Sequence, residues 1–482
     1  RPSCREKYTM PFTPLSAVRS PLLSSSDLEQ SEEAAYRILE QVGTKVQEDL
    51  VPTLRRKGMC FRNGRVVFDR RITRTFLEQE RAKGGKVSGM DATPPSTQEI
   101  TLGVSQYSQH VRDAGTGQIR PYTVSTLIEA AKTVDVLADQ GVRAGAPGTP
   151  MDVPPDLQPV SIYYLSLTYT RYGFQPPDPR SVAACEYVLD MAETVGHPVT
   201  LLPVYLVSPL TLAGDSLAAV LAFEKRIAST WVVSMPSAGA TAPQATGEAF
   251  ALAAAEVIGS AMIMHELCDL DVGWEIQIFP FDMRALSIVF GSPENLLMQL
   301  ASAEVDAYFH GTQWKPSAAN IHTMAKTPGP QAAAEKASIM TAGALLGARH
   351  FVCAGTLSLD EIFSAEQLLL DCEIAAHVEA VVRGLDTSCD PDACVQDVIE
   401  GASRGFLGLD STLQRYRESC WYPRFFERGL LAAWQDSGSR ELNERLREEA
   451  RRLPSRHAFA LPEEVQRELD RIYRRAEEHF SI

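Results

Sequence analysis

The chain has 482 residues, of which 45% are hydrophobic, and it carries a net charge of −15. This composition is typical of a globular protein, and the acidic charge argues against nucleic acid and anionic membranes as partners, since both bind clustered Lys and Arg. Nine cysteines without a compact spacing favour reduced thiols in a cytoplasmic protein. The most apolar segment, around Gly247–Met264, carries Glu248 and Glu256, which predicts a buried helix and not a membrane span.

The first section, 1–95, is predicted to form an arm followed by a small α+β cap. Residues 1–30 are rich in Pro and Ser, which favours an arm. Helices are expected at Glu32–Val42, Glu48–Lys57 and Ile72–Lys83. Before the third helix, Asn63-Gly64 predicts a tight hairpin, because a type I′ turn needs positive φ at both central positions.

The middle section, 96–384, alternates runs of strand-forming residues with helical runs. Eight such strand and helix units predict an α/β fold of the (β/α)8 TIM barrel type. An open doubly wound sheet is disfavoured, because no G-x-G-x-x-G follows a strand and no P-loop occurs. The predicted strands are Glu99–Val104, Val142–Ala146, Tyr172–Gln175, Val199–Val207, Trp231–Met235, Gly273–Phe281, Tyr308–Thr312 and His350–Ala354.

The last section, 385–482, is polar and helical, and we interpret it as a C-terminal helical extension. Its segments Arg440–Arg452 and Glu463–Phe480 are strongly charged and have narrow apolar stripes. Such helices are expected to wrap the barrel or a neighbouring subunit.

Metal and nucleophile motifs give little support for conventional catalysis. His265-x-x-Cys268 and His350-x-x-Cys353 contain ligand types, but each lacks a partner pair. His350 and Cys353 also lie in a predicted strand, where positions i and i+3 point to opposite faces. The sequence contains no G-x-S-x-G and no H-E-x-x-H.

The carboxyl ends of the predicted strands are the expected functional rim, because barrel enzymes act there. The rim set is rich in aromatic and small residues and short of charge, which suits an apolar or quaternary-ammonium ligand, although several could simply fill the barrel mouth. Within them, the small residues 237–243 let backbone approach a ligand closely, or else form a tight turn. The rim set is Pro147, Gln175, Ser208, Pro209, Met235, Ser237, Phe279, Phe281, Asp282, His310, Gln313, Trp314 and Gly355.

A resemblance to the trimethylamine methyltransferase family runs through nearly the whole chain. Its most specific part is the segment that contains SPL, MPSAGATAP and the Ala-rich helix after them. Further matching strings are AYRILEQVG at Ala35–Gly43, GSPENLLMQLASAE at Gly291–Glu304, QAAAEK at Gln331–Lys336, FLG at Phe406–Gly408 and LLAAW at Leu430–Trp434. The resemblance implies a (β/α)8 barrel that passes a methyl group from a methylated amine to the Co(I) corrinoid of a separate protein.

The chain is similar to the pyrrolysine-free branch of that family, which includes glycine betaine methyltransferases. Every residue is a standard amino acid, so no pyrrolysine is encoded. In the loop Thr323–Lys336, Met324, Gly329 and Ala334 replace an Asp, an Asp and a Tyr that the family pattern carries. These departures bear on which methylated amine is the substrate.

The resemblance implies a quaternary or tertiary methylamine as substrate and a cobamide on a partner protein, because the chain has no D-x-H-x-x-G corrinoid-binding signature. It further implies no directly bound metal, and we expect a homo-oligomer. A zinc-dependent, thiol-activating methyltransferase and a non-catalytic barrel that only binds methylated amines remain alternatives.

Substrate-binding and cofactor-binding residues are expected at the rim and in the altered loop. Trp314 is the expected cation–π partner of the ammonium group, with Tyr205 or Phe281 in that role if Trp314 is structural. The expected substrate-binding residues are Tyr205, Met235, Ser237, Phe279, Phe281, His310, Gln313, Trp314, Met324 and Lys326, and the expected cofactor-binding residues are Ser237, Gly239 and Gly355.

Overall fold

The computed structural model describes residues 12–13, 15–17, 20–84, 99–178, 180–314 and 319–480. Residues 1–11, 14, 18 and 19 of the predicted arm lie outside the described residues, and its last part, from Ser25 on, belongs to α1 instead of an arm. The helices are α1 Ser25–Gln41, α2 Val51–Arg56, α3 Arg70–Lys83, α4 Val124–Val136, α5 Gln158–Tyr169, α6 Val182–Thr194, α7 Asp215–Ala222, α8 Thr246–Leu267, α9 Pro293–His310, α10 Pro330–Leu345, α11 Ala365–Arg383, α12 Pro391–Arg404, α13 Asp410–Ser419, α14 Leu431–Asp436, α15 Leu442–Arg452 and α16 Glu463–Phe480.

The protein is a mixed α/β structure in which most strands are short and a large share of the residues is helical. They are β1 Phe12–Thr13, β2 Thr44–Val46, β3 Phe61–Arg62, β4 Arg65–Val66, β5 Thr101–Val104, β6 His110–Arg112, β7 Ile119–Pro121, β8 Leu201–Tyr205, β9 Thr211–Leu212, β10 Ser229–Ser234, β11 Ser237–Ala238, β12 Asp271–Ile276, β13 Phe279–Asp282, β14 Ser287–Ile288, β15 Ala319–Asn320, β16 His350–Ala354, β17 Thr356–Leu357, β18 Ile362–Ser364 and β19 Leu385–Asp386.

The N-terminal elements pack directly on the middle of the chain. The predicted hairpin at Asn63 and Gly64 is confirmed, with φ of 51° and 77°. β2 pairs with β4 and also with β9, and α1 packs on α8. A Cβ at Gly259 of α8 would lie 2.5 Å from Thr44 Oγ1 and 2.6 Å from Leu39 Cδ2. Glycine therefore allows the cap to approach α8 closely.

Helix α8 is apolar and long enough to cross a membrane by composition alone. In the structure, 89% of its most apolar window is buried inside the protein. It lies between α1 and the strands β10 and β12. The sequence prediction of a buried helix at this place is confirmed.

Two sets of parallel strands carry the predicted β/α alternation. In the first set β10 lies between β8 and β12, and in the second β16 lies between β15 and β5. A single bridge joins Leu102 of β5 to Val142. The order and common direction of these strands are those of a (β/α)8 barrel. No ladder within the described residues joins the two sets, so closure of the barrel stays a prediction.

Side chains of α9 form hydrogen bonds with backbone groups of one edge strand in each set, β12 and β15. Asp306 accepts hydrogen bonds from the amide of Ile276, at 3.0 Å to Oδ1 and 3.2 Å to Oδ2. Gln299 donates to the carbonyl of Asn320 at 3.2 Å and accepts from its amide at 3.0 Å. In a closed sheet, such edge groups would pair with the next strand. Here the helix supplies their partners.

The predicted strand Tyr308–Thr312 is wrong. Helix α9 runs through most of this segment and ends at Gly311, whose φ is 65°. Phe309 is fully buried, and the Tyr308 hydroxyl donates to Glu32 at 2.5 Å. These tertiary contacts hold aromatic residues in a helix although their intrinsic preference favours a strand.

Two further predicted strands are reduced or absent. Residues 172–175 form a turn, in which Gly173 lies so close to Ser166 that a Cβ would be 2.3 Å from its carbonyl oxygen. The run Val142–Ala146 contributes only the bridge at Val142. The predicted strand His350–Ala354 is confirmed with its predicted ends, and the other four predicted strands are present with at least one end shifted.

The final helix, α16, packs on α5 and α6. The rings of Tyr164 and Tyr473 stack with centroids 4.3 Å apart, and the Ser161 and Tyr473 hydroxyls lie 2.9 Å apart. Tyr164 donates to Asp470 at 2.8 Å. The C-terminal segment therefore wraps helices of the middle section.

Candidate active site

One layer of side chains at the carboxyl ends of β8, β10 and β12 points away from the surrounding helices. Tyr205, Val233 and Glu275 are paired in register across these strands. The alternating residues Val232 and Trp274 are fully buried in the core that contains α8. Because side chains alternate between the two faces of a strand, the layer faces the interior of the predicted barrel.

Two loops bring Tyr107 and Asp178 to Tyr205. The Tyr107 hydroxyl donates to the Asp178 carboxylate, and Tyr205 also hydrogen-bonds to Asp178. Burial raises the pKa of Asp178 and the pKa of both tyrosines, so the phenols are neutral donors. Tyr107 nevertheless keeps 56% of its surface exposed. The Tyr107 ring therefore lies at the edge of the site, where solvent reaches it.

Glu275 supplies a second carboxyl group to this layer. Gln277 donates to it from Nε2, and burial raises the pKa of Glu275. Burial raises the pKa of Asp306, and the nearby Glu275 carboxylate raises it further. Glu275 also contributes to the raised pKa of Tyr205. We call Tyr107, Asp178, Tyr205 and Glu275 the tyrosine–carboxylate site.

The carboxyl groups of this site have no cationic partner among the described side chains. Within the described part of the chain, no Lys or Arg forms an ion pair with Asp178, Glu275 or Asp306, and none lowers their pKa. A buried carboxylate without a cationic partner is costly. The arrangement is chemically complementary to a cationic ligand that enters between the aromatic hydroxyls.

Glu256 of α8 supports the strand ends from behind the layer. Its carboxylate accepts from Ser208 Oγ at 2.9 Å, from the Leu210 amide at 2.7 Å and from Ser234 Oγ at 2.5 Å. Burial raises the pKa of Glu256. One side chain therefore ties together the ends of β8 and β10, next to Tyr205.

A second buried cluster lies at the ends of β15 and β16. Lys336 and Asp371 are fully buried and 2.8 Å apart, and the Lys336 ammonium also donates to the Cys353 carbonyl at 3.1 Å. His322 stacks on Phe290 with centroids 4.2 Å apart. Burial and the nearby Lys336 charge lower the pKa of His322 to about 3, so the imidazole is neutral. The ion pair holds the end of β16 in place.

Several predicted rim residues meet at the mouth. Ser237 of β11 pairs with Phe279 of β13, and Phe281 pairs with Ile288 of β14. Met235 follows β10 and is 40% exposed. The positions of these residues at strand ends agree with the sequence analysis, while their contact with a substrate stays a prediction.

The placement of His310 at the same rim is wrong. The amide of Ile278, just after β12, donates to Ser302 at 3.3 Å, whereas the carbonyl of Trp274 within β12 is 3.1 Å from His310 Nε2. Helix α9 therefore runs antiparallel to β12, and its end at His310 lies towards the amino ends of the strands, opposite the mouth. His310 instead stacks on Trp274, with centroids 4.5 Å apart. The placement of Gln313 and Trp314 at the rim stays a prediction.

The small-residue loop adopts the alternative tight turn. The amides of Ala240, Thr241 and Ala242 all donate to the Ser237 carbonyl, at 3.0, 3.0 and 3.1 Å. The Ser237 amide donates to Thr241 Oγ1 at 2.9 Å. Gly239 has a φ of 97°, which favours glycine in the turn.

Gly355 and the altered loop are also engaged within the chain. The Gly355 amide donates to Asp371 at 2.7 Å, and a Cβ there would lie 2.6 Å from the Phe363 ring. The Met324 amide donates to Glu335 at 3.2 Å. Lys326 donates to Ser358 at 2.7 Å. Gly355 and Ser237 thus offer no free amide to a cofactor.

Sequence reasoning missed Tyr107, Asp178, Glu275 and Asp306. Glu275 left a signal, since it is a lone charged residue in the otherwise apolar run Val272–Ile276. Asp178 and Tyr107 lie in irregular loops, where no periodicity indicates which residues face a site. Within the described residues, no group of three or more His, Cys, Asp or Glu side chains could hold a metal ion.

Comparisons with known proteins identify the family of this chain. The glycine betaine methyltransferase of Desulfitobacterium hafniense is 23% identical over 430 residues, which cover 86% of this chain and 88% of that protein. A trimethylamine methyltransferase of Methanosarcina mazei is 28% identical over 270 residues, 55% of this chain and 52% of that protein. A crystal structure of the Methanosarcina barkeri monomethylamine methyltransferase aligns with 92% of this chain and 89% of its own, at 10% identity and a TM-score of 0.44. The profile of the trimethylamine methyltransferase (MTTB) family matches residues 6–480. The chain therefore belongs to the trimethylamine methyltransferase family.

Proposed function

We propose that the protein transfers a methyl group from a quaternary or tertiary methylated amine to the Co(I) corrinoid of a separate protein, in a fold of the (β/α)8 barrel type. Family membership over residues 6–480 supports the reaction class. The tyrosine–carboxylate site supports the substrate class, because it combines aromatic rings with carboxyl groups that lack a cationic partner in the described chain. The pairing of these aromatic rings with carboxyl groups that no described Lys or Arg neutralises is the observation on which the proposal depends.

The site residues suit the chemistry of methyl transfer. A quaternary ammonium leaves as a neutral amine, so its transfer needs no general acid, and the protein has to position the methyl group and exclude water. A tertiary amine needs a proton first. Glu275 and Asp178, whose pKa values are raised by burial, are the groups that could hold it.

The mouth of the site is open to a methyl acceptor. Tyr107, Val207 and Met235 follow β5, β8 and β10 and are 56%, 56% and 40% exposed. They offer apolar surface beside the tyrosine–carboxylate site. Since the Ser237 and Gly355 amides are engaged within the chain, we assign no corrinoid contact to them.

The test is a screen of methylated amines with a cognate corrinoid protein reduced to Co(I). We expect the absorbance spectrum to change from Co(I) to methyl-Co(III) with at least one amine. A zinc-dependent enzyme would instead require stoichiometric zinc, and a non-catalytic barrel would bind an amine in calorimetry without turnover. If no amine methylates the corrinoid while a control methyltransferase does so, the proposed function is wrong.

A further inference from the structure

The charge around the tyrosine–carboxylate site distinguishes between kinds of methylated ammonium. Among the described residues, its carboxyl groups receive side-chain hydrogen bonds from neutral donors, namely the hydroxyls of Tyr107 and Tyr205 and the amide of Gln277. Asp306 adds a third carboxyl group beside Glu275 and is bound by a backbone amide. Neutral donors stabilise a carboxylate without cancelling its charge.

The lysines that follow β15 are engaged with other partners. Lys326 donates to Ser358 at 2.7 Å, and Ser358 donates in turn to Glu361 at 2.5 Å. Lys336 is buried with Asp371 at 2.8 Å. A substrate carboxylate would therefore enter a site rich in carboxyl groups, while the ammonium of Lys326 is held by Ser358 beside Glu361 and that of Lys336 is paired with Asp371.

Two classes of methylated amine respond oppositely to such a site. An ammonium with an alkyl or hydroxyalkyl end gains from the carboxyl groups and has no opposing charge. A zwitterion such as a betaine brings its own carboxylate within a few bonds of the ammonium, and like charges in a partly desolvated site repel strongly.

We propose that the substrate is a methylated ammonium compound whose other end carries no carboxylate. This inference rests on the proposed function and narrows it. It separates the chain from its relative that acts on glycine betaine, a zwitterion.

The test compares initial rates and calorimetric affinities of the full-length protein for tetramethylammonium and choline with those for glycine betaine and carnitine. We expect kcat/KM and affinity to be at least tenfold higher for the two cations. Equal or higher values for the zwitterions would overturn this inference and leave the proposed function standing. Failure of every amine in both turnover and binding would overturn the proposed function itself.

Charge variants test whether the acidic site causes the preference. Glu275→Gln should lower the ratio of choline to glycine betaine affinity several-fold, and Asp178→Asn provides a second variant if the first does not fold. Glu248→Gln removes one charge from the exposed first turn of α8 and should leave the ratio unchanged. An unchanged ratio in folded Glu275→Gln and Asp178→Asn would refute the electrostatic reasoning.

Discussion

Two substitutions of Glu256 distinguish how its charge and its hydrogen bonds contribute to the stability of the fold. Glu256 is fully buried and accepts three hydrogen bonds, from Ser208, Leu210 and Ser234. In Glu256→Gln, the amide oxygen can accept from the Leu210 amide, and the two N–H groups can donate to the two serine hydroxyls. We expect this variant to be within about 1 kcal/mol of the natural protein.

Glu256→Met keeps the volume and removes all three acceptors. Each hydrogen bond to a charged group contributes about 1.5–3 kcal/mol, and the Leu210 amide would be left buried without its partner. Because the serine hydroxyls can turn towards other acceptors, we expect a loss of about 3–5 kcal/mol. The ends of β8 and β10 would also lose their connection beside Tyr205, so methyl transfer should fall.

Urea unfolding, followed by circular dichroism at one pH, measures the difference between the two variants. A drop in midpoint for Glu256→Met without a change in slope would show lost stability and not an altered unfolded state. If Glu256→Met were as stable as Glu256→Gln, the three hydrogen bonds would not stabilise the fold as argued.

Two other predictions follow from the buried groups. His310→Ala should lower the free energy of unfolding by about 2 kcal/mol, because it removes the stacking on Trp274 and the hydrogen bond to its carbonyl. Since His310 lies away from the mouth, KM should not change. A raised KM at unchanged stability would contradict this placement. Burial raises the pKa of Glu275, so the folded protein binds more protons than the unfolded chain, and stability falls as pH rises above about 4.3, the ordinary pKa of Glu. Glu275→Gln should then gain stability relative to the natural protein as the pH rises above about 4.3 in thermal melting, with Tyr205, Gln277 and Asp306 as the groups that face it; a difference that stays constant as the pH rises would refute this.

The order of elements was largely predictable because periodicity and helix boundaries are local signals. His350–Ala354 and Glu463–Phe480 have the predicted bounds, and the strand around Tyr205 ends near its predicted position. Tyr308–Thr312 was mistaken for a strand because its local preference is opposed by contacts with α1, which are distant in sequence.

The difference between local sequence signals and contacts that are distant in sequence also explains the errors at the site. The predicted strand Tyr308–Thr312 would have placed His310 at the mouth. Because this segment is instead the end of α9, which runs antiparallel to β12, His310 lies near the amino ends of the strands. Asp178 and Tyr107 meet Tyr205 only after the loops fold. Loop geometry depends on tertiary contacts, so sequence patterns identified the strand ends and not the carboxyl groups between them.

The packing of α16 on α5 has a consequence for synthesis of the protein. Ser161 and its partner Tyr473 are 312 residues apart in the chain. At about 5–20 residues per second, a ribosome makes that length in roughly 15–60 s. Throughout this time the α5 surface around Tyr164 lacks its final cover, so the nascent chain exposes apolar surface that is prone to aggregate. Chaperone binding before residue 463 is made would protect it, and α16 is then the element that completes folding.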